Sequence, residues 1–270
     1  MKLSNKIFLS LLIPACASSL HAWYIIFDLP KTLMDVNEFS FFKSEIGASG
    51  IWYTLTFNNP KNLKEKTFNT LSEIGTQECA AEHFVRDPEG DLLPQVYCDF
   101  LLGKPDTFKR SKQHVRTNLK KNRERDLIES IAKAIFDPEK LAQHAEVVKH
   151  GLQLVQDCKN RHGQDQLYIM SNLNVASLQE LYKAKHMQPL LKHFTPQTNI
   201  FISEKMKTLL PNPACFESLT KRNYNLNECV FISSMPWNVQ SARQAGLRAV
   251  LVKDGDFKTA REELKALGVL

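Results

Sequence analysis

The stretch Tyr24-Ile-Ile-Phe-Asp28-Leu-Pro-Lys-Thr32 decides the fold. The apolar run Trp23 to Phe27 predicts a short buried strand, and an acid follows it directly. Segments with a helical pattern, such as Val175 to Lys185 and Val239 to Ala245, separate further runs of the same kind. This alternation is typical of a parallel sheet with helices on both faces, which predicts an α/β fold. The other four runs are Leu167 to Met170, Ile200 to Ile202, Cys229 to Ile232 and Ala249 to Val252.

The long interval between the first and second runs lacks strong strand signals. Within it, Phe68 to Ile74 and Leu127 to Phe136 carry apolar residues at helical spacing. Asp137-Pro138 is a helix-breaking pair that ends the second segment. The interval therefore predicts a mostly helical lobe inserted into the sheet domain.

Length and composition exclude several classes of protein. The chain has 270 residues, of which 43% are hydrophobic and 24% charged, enough for one large domain or a core with an inserted lobe. It contains no apolar run near the roughly 20 residues that cross a bilayer. Disordered chains, small disulfide scaffolds and multi-spanning membrane proteins are thereby excluded.

The first 22 residues have the pattern of a secretory signal peptide. Lys2 and Lys6 precede an apolar stretch and a run of small residues that ends at Ala22, with no acid among them. We therefore expect a periplasmic or secreted protein. An alternative is lipid anchoring at Cys16, and another is an N-terminal helix of a cytosolic protein. A reporter fused to the signal segment should be exported, and a wholly cytoplasmic reporter would contradict the prediction.

A basic stretch runs from Lys104 to Arg125, with nine Lys or Arg residues against two acids. Such a charge excess could dock an anionic ligand, a membrane surface or a nucleic acid. A solvated helix face is the interpretation we favour, and no specific nucleic-acid partner is expected. Of the six cysteines, none forms a C-x-x-C pair, so we expect small buried residues and not a zinc or redox site.

Hydroxyl and carboxyl side chains stand where four of the predicted strands end. The carboxyl ends of parallel strands open onto one crevice, which is where ligands bind in such sheets. We therefore expect the four side chains to converge, as in sites for nucleophilic attack on phosphorus or carbon. They are Asp28, Ser171, Ser203 and Ser233.

The order of these residues resembles the four motifs of the haloacid dehalogenase superfamily. Asp28 to Thr32 resembles D-x-D-x-T, and Ser171-Asn172 follows a strand as the second motif does. Leu210-Pro-Asn-Pro-Ala-Cys-Phe216 is similar to the third motif, K-P-d-P-x-x-F. Ser233-Ser234-Met-Pro-Trp-Asn-Val, with Gly246 further on, is similar to the fourth, D-D-x-P-x-N-V.

The resemblance implies a Rossmann-like core with an inserted helical cap. It places the core at residues 23–34 and 145–270 and the cap at 35–144. In phosphatases of the superfamily, the first Asp attacks phosphorus, the second protonates the leaving group, the lysine neutralises charge and the fourth-motif acids help to hold Mg²⁺. The resemblance thus implies Asp28 as nucleophile. Thr32, Ser171, Asn172 and Ser233 would contact the substrate.

Four functional positions of the motifs carry other residues. Pro30 cannot transfer a proton, Leu210 carries no charge, and Ser233 and Ser234 are neutral. Losing a general acid costs about 10²- to 10⁴-fold in rate, and losing one electrostatic contact about 10²- to 10³-fold. A single carboxylate is a poor Mg²⁺ site, so we expect no metal and no cofactor. Lys31, Lys205 and Lys207 are the candidates to replace the missing cation.

These departures predict an exported hydrolase-fold protein with weak or absent metal-independent phosphomonoesterase activity through Asp28. The alternative is a catalytically inactive pseudoenzyme that serves as a binding module. A second alternative is a 2-haloacid dehalogenase, since those enzymes work without metal and their F-V-S-S-N-A-W-D motif resembles Phe231 to Asn238. The expected partner is a small-molecule substrate or an anionic ligand. A membrane is expected as partner only through the signal segment or a lipidated Cys16.

Overall fold

The structure is a computed structural model that describes residues 23–37, 40, 41, 44, 47, 60–74, 84–194 and 198–270. The signal segment predicted at 1–22, including Cys16, lies outside the described residues, so export and lipidation remain predictions. Cys79 lies outside them as well. None of the helices formed by the described residues has both the length and the apolar character needed to cross a bilayer.

A five-stranded parallel sheet forms the centre of the molecule. All five predicted strands are present, with ends within one residue of the predicted ones. The first strand is the middle one, and the order across the sheet is β5-β4-β1-β6-β7. These strands are β1 (Tyr24–Phe27), β4 (Leu167–Ser171), β5 (Ile200–Ile202), β6 (Cys229–Ser233) and β7 (Arg248–Leu251).

Both faces of the sheet are covered by helices. Alternate side chains of β1 belong to different cores, with Ile25 and Phe27 on one face and Ile26 on the other. Because neither face meets solvent, the strands are continuous apolar runs, as the sequence indicates. The α/β fold with a parallel sheet is therefore confirmed.

Twelve α-helices can be assigned in the described residues. Five lie in the inserted segment before residue 145, and seven follow the return of the chain to the core. The first five are α1 (Pro60–Ser72), α2 (Gln95–Leu101), α3 (Thr107–Asn118), α4 (Arg123–Ile135) and α5 (Pro138–His144). The others are α6 (Lys149–His162), α7 (Val175–Lys183), α8 (Gln188–Leu191), α9 (Ser203–Met206), α10 (Glu217–Thr220), α11 (Pro236–Gln244) and α12 (Phe257–Ala266).

The first four helices pack around a small apolar core of their own, which includes Leu71, Val115, Ile131 and Phe136. Helix α5 packs instead on the core of the sheet domain through Ala142. A two-stranded antiparallel ladder joins the chain before this lobe to the chain after it, pairing β2 (Met34–Val36) with β3 (Ala145–Val147). The two strands of this ladder lie at residues 34–36 and 145–147, next to the expected ends of the cap at residues 35 and 144. The division into core and cap remains our interpretation of this arrangement.

The basic stretch comprises the turn before α3, α3 itself and the first residues of α4. Acids of neighbouring turns neutralise much of its charge. Asp99 accepts Lys104 at 2.9 Å and Arg110 at 2.8 Å. Glu129 is held by both Nε and Nη2 of Arg116. Burial raises the pKa of Asp99, but the hydrogen bonds from the two cations outweigh it and hold that pKa below its usual range. These ion pairs link neighbouring helices of the inserted lobe and lower its exposed positive charge.

The bounds of α11 and the burial of the cysteines agree with their residue types. Helix α11 begins at Pro236, and Gly246 lies beyond its end with a positive φ of 92°, a conformation that glycine adopts without strain. Four of the cysteines in the described residues are buried, namely Cys98, Cys158, Cys215 and Cys229. They act as small apolar side chains.

Candidate functional site

Asp28 lies at the carboxyl end of the central strand and is 1% exposed. Its Oδ1 accepts hydrogen bonds from the Leu29 backbone N–H at 2.8 Å and from Ser171 Oγ at 3.1 Å. Its Oδ2 accepts hydrogen bonds from Ser233 Oγ and from Asn238 Nδ2, both at 2.8 Å. The two serines end the strands on either side of β1, so the sheet itself brings them to the carboxylate.

This carboxylate is held by neutral groups alone. In the part of the chain that the structure describes, Asp28 takes part in no ion pair. Burial raises its pKa to about 6, and hydrogen bonds from Asn238, Ser233 and Ser171 oppose the rise. The side chain is therefore mostly ionised at neutral pH, as an anion without a counter-charge.

Thr32 is fully buried and fixes the loop that follows Asp28. Its Oγ1 accepts the Ser234 backbone N–H at 2.7 Å and lies 3.1 Å from Ser234 Oγ. Lys31, which lies between Asp28 and Thr32 in the sequence, has a positive φ of 54°, which glycine tolerates better than lysine does. Its ammonium pairs with Asp35 at 2.7 Å. Thr32 thus positions the site, and Lys31 neutralises an acid other than Asp28.

Asn172 was expected to contact the substrate, and the structure shows a second role. Its Nδ2 donates to the Leu210 carbonyl at 2.8 Å, and the Leu210 N–H donates to its Oδ1 at 2.7 Å. Leu210 itself is 1% exposed in an apolar cluster. Asn172 therefore holds the backbone of the third motif, and an apolar side chain fills the position of the superfamily lysine. Lys205 and Lys207 are exposed and do not replace it.

The expectation that Ser203 converges with Asp28 is wrong. Strand β5 lies at the sheet edge, two strands away from β1, so its end is displaced from the carboxylate. Ser203 Oγ instead donates to the Leu101 carbonyl at 2.7 Å, and Asn174 Nδ2 donates to the Phe100 carbonyl at 3.0 Å. Both bonds join the core to the C-terminal half of α2, which is a structural role.

The start of helix α6 packs against the loop that follows Asp28. Gly151, in the first turn of that helix, lies directly against the Thr32 carbonyl oxygen, where a Cβ atom would overlap it. The Val148 N–H donates to the Leu33 carbonyl at 2.9 Å. The loop and the helix therefore fit only because residue 151 has no side chain.

Asn238 is the functional residue that the sequence reasoning missed as a site residue. It occupies the first turn of α11, and its Nδ2 faces Asp28 because the carboxylate offers only acceptors. Its Oδ1 is then directed away and is buried without a hydrogen-bond partner among the described residues. The signal in the sequence that could have identified Asn238 is a polar residue five positions after Ser233, at the start of a predicted helix.

A magnesium site does not fit the residues around Asp28. The positions that supply acids in the superfamily carry Pro30, Ser233 and Ser234, and both Asp28 oxygens already accept protein hydrogen bonds. Mg²⁺ demands several oxygen ligands in octahedral geometry. No group of three acidic, histidine or cysteine side chains suited to a metal occurs in the described ranges. We therefore assign no step to a metal.

A cavity of about 290 Å³ opens above Asp28, between the sheet and the inserted helices. Asp28, Asn172 and Asn238 form part of its wall on the core side. Apolar side chains of the cap form much of the opposite wall. They include Phe68, Leu93, Tyr97, Phe100, Ile131 and Ile135. The arrangement is that of a pocket for a small, largely apolar molecule with a few fixed polar groups at one end.

Comparison with known proteins shows which solved structures have a similar architecture. No protein-family model matches the sequence, and no curated protein matches it. A solved structure of a HAD family enzyme from Bacteroides thetaiotaomicron, an aspartate-to-alanine mutant with magnesium and inorganic phosphate, is similar with a TM-score of 0.50 and 14% identity, over 86% of this chain and 94% of that chain. The chain has a haloacid dehalogenase-like fold.

Two further structures are similar at lower scores. The L-2-haloacid dehalogenase from Xanthobacter autotrophicus has a TM-score of 0.48 and 14% identity, over 84% of this chain and 76% of that chain. A structure described as a dehalogenase has a TM-score of 0.47 and 16% identity, over 88% and 89%.

Proposed function

We propose that this haloacid dehalogenase-like protein binds a small molecule in the cavity above Asp28, and that Asp28 acts there as a fixed negative charge. The observation that carries the proposal is the saturation of the carboxylate. Each oxygen accepts two hydrogen bonds from the protein, and a carboxylate has about four lone-pair positions in all. Nucleophilic attack needs a lone pair directed at the substrate.

The rest of the catalytic machinery is also missing from its positions. Pro30 cannot act as a general acid, and a buried Leu210 supplies no charge to a phosphate that approaches an ionised Asp28. The absence of a general acid and of a cation at these positions favours a protein that keeps the pocket and lacks the phosphatase reaction.

A metal-independent hydrolase remains the second candidate, because Asp28 lines the cavity and occupies the position of the superfamily nucleophile. Rotation of the Ser171 or Ser233 hydroxyl would free one oxygen for attack. A phosphomonoester would then form an acyl phosphate with Asp28 and release an alkoxide that takes its proton from water. A 2-haloacid would form an ester with Asp28 and release halide. Water would hydrolyse either intermediate.

Turnover by the protein and its Asp28→Asn variant separates the two candidates. We expect no Asp28-dependent turnover of phosphomonoesters or 2-haloacids, with magnesium or with chelator, because the carboxylate is engaged on both oxygens. Chelator-insensitive release of halide or phosphate that is lost in the variant would favour the second candidate. Magnesium-dependent turnover lost in the variant would contradict both.

The binding function needs a positive test of its own. A thermal-shift screen of small apolar molecules should give ligands that stabilise the protein. Ile135→Phe, which enlarges a side chain on the cavity wall, should abolish their effect by filling the space. Ile74→Phe is the matched control, because Ile74 belongs to the same cap core without lining the cavity. Equal stabilisation of both variants would overturn the proposal.

A further inference from the structure

We infer that the cavity takes an organic cation, namely an ammonium group on an apolar body, with the ammonium next to Asn238 and Asp28. This inference rests on the proposed binding function and names its ligand class. It is argued from an acceptor without a partner, an anion without a counter-charge, the charge of the wall and the aromatic rings of the cap.

The acceptor without a partner is Asn238 Oδ1. Asn238 is 5% exposed and lines the cavity, and its amide nitrogen is committed to Asp28. A buried carbonyl oxygen that makes no hydrogen bond is costly, and native proteins satisfy nearly all such groups. A ligand donor that reaches this oxygen satisfies it, whereas a carboxylate or a phosphate dianion brings only acceptors.

The anion without a counter-charge is Asp28. Its neutral donors satisfy its hydrogen bonding but leave a net negative charge in a buried place, where an unpaired charge is expensive. A cation bound at Asn238 would lie beside this charge without needing a lone pair of Asp28. The same field repels an anionic ligand.

The wall of the cavity is acidic as a whole. Its described lining has five carboxylates against two cationic side chains. Lys31 and Asp35 form one ion pair, which leaves four acids against Arg86, whose Nη1 donates to the Gly90 carbonyl at 2.8 Å. The acids are Asp28, Asp35, Asp87, Glu89 and Asp137. The potential in the cavity therefore favours a cation, the opposite of what phosphate or haloacid substrates require.

Four aromatic side chains of the cap line the same cavity, namely Phe41, Phe68, Tyr97 and Phe100. Tyr97 and Phe100 stack with ring centroids 5.8 Å apart. Aromatic faces attract ammonium groups and also pack against the apolar body of a ligand. An apolar amine uses both properties of this wall.

Isothermal titration with three probes of similar shape tests the inference. Phenethylamine carries a cation, phenethyl alcohol a neutral donor, and phenylpropionate an anion. We expect the amine to bind at least about tenfold more tightly than the alcohol, because only the amine gains from the Asp28 charge. We expect the anion to bind most weakly. Magnesium alone should give no heat of binding and should not compete with the amine.

Charge variants show whether Asp28 causes the preference. In Asp28→Asn the advantage of the amine over the alcohol should fall to about twofold or less, since the charge is removed and the shape is kept. Asp254→Asn is the matched control, because Asp254 is exposed and does not line the cavity. An advantage that is unchanged in Asp28→Asn would overturn the role of this carboxylate.

The outcomes distinguish the ligand class from the binding function. Equal binding of amine and alcohol, lost in Ile135→Phe, would overturn the organic cation and leave the binding function intact. Preference for the anion would do the same. Failure of the amine to bind overturns the inference, while the binding function is decided separately by the alcohol and the wider screen.

Discussion

Gly151→Ala is expected to destabilise the protein by about 3 kcal/mol or more. The added Cβ would overlap the Thr32 carbonyl oxygen and lie 3.2 Å from Leu33 Cδ2. Both groups belong to a buried loop that cannot move without displacing Thr32 and, through it, Ser234. At an ordinary helix position the same substitution stabilises by roughly 0.5–1 kcal/mol, so the sign of the effect is diagnostic.

Urea denaturation of the protein and the variant measures this effect. Gln156→Ala, on an exposed position of α6, is the control and should change the free energy of unfolding by less than about 0.5 kcal/mol. Unchanged or increased stability of Gly151→Ala would show that the loop and α6 are not in contact as described.

The second large effect is a dependence of stability on pH that comes from Asp28. Its pKa rises from 3.8 to about 6 on folding, so the folded state binds this proton more tightly than the unfolded chain does. The contribution of Asp28 to stability is therefore greatest below about pH 4, falls between about pH 4 and pH 7 as the pH passes through the folded-state pKa, and is constant above that. A rise of about two pKa units corresponds to about 3 kcal/mol.

The difference between the protein and Asp28→Asn isolates this contribution, because the other titrating groups are common to both. We expect the free energy of unfolding of the protein, relative to the variant, to fall by about 3 kcal/mol from about pH 4 to about pH 7. Asp254→Asn should show no such trend. A flat difference, or one that increases with pH, would mean that Asp28 is not a buried anion without a counter-charge.

The sequence predicts the sheet well because a parallel sheet covered on both faces requires short continuous apolar runs. Each of the five runs is a strand, and Ile200 to Ile202 agrees at both ends. The convergence of Asp28, Ser171 and Ser233 also follows from the sequence, since these residues end neighbouring strands.

The remaining features of the site depend on strand order and side-chain direction, which the sequence does not encode locally. Ser203 follows a strand as Ser171 does, but β5 is the edge strand, so its hydroxyl bonds to the cap. Asn238, in the first turn of α11, donates to Asp28, and Asn172 turns to the Leu210 backbone. These are tertiary placements of residues whose types alone suggest other roles.

The hydrogen bonds from Ser203 and Asn174 to the backbone of α2 have a kinetic consequence. A ligand in the cavity lies between the sheet and the inserted helices, and moving the two apart breaks both bonds. Ligand exchange would then be governed by the frequency of that separation. Complexes of different affinity would share a slow release step, and weakening either bond would shorten the residence time of every ligand alike.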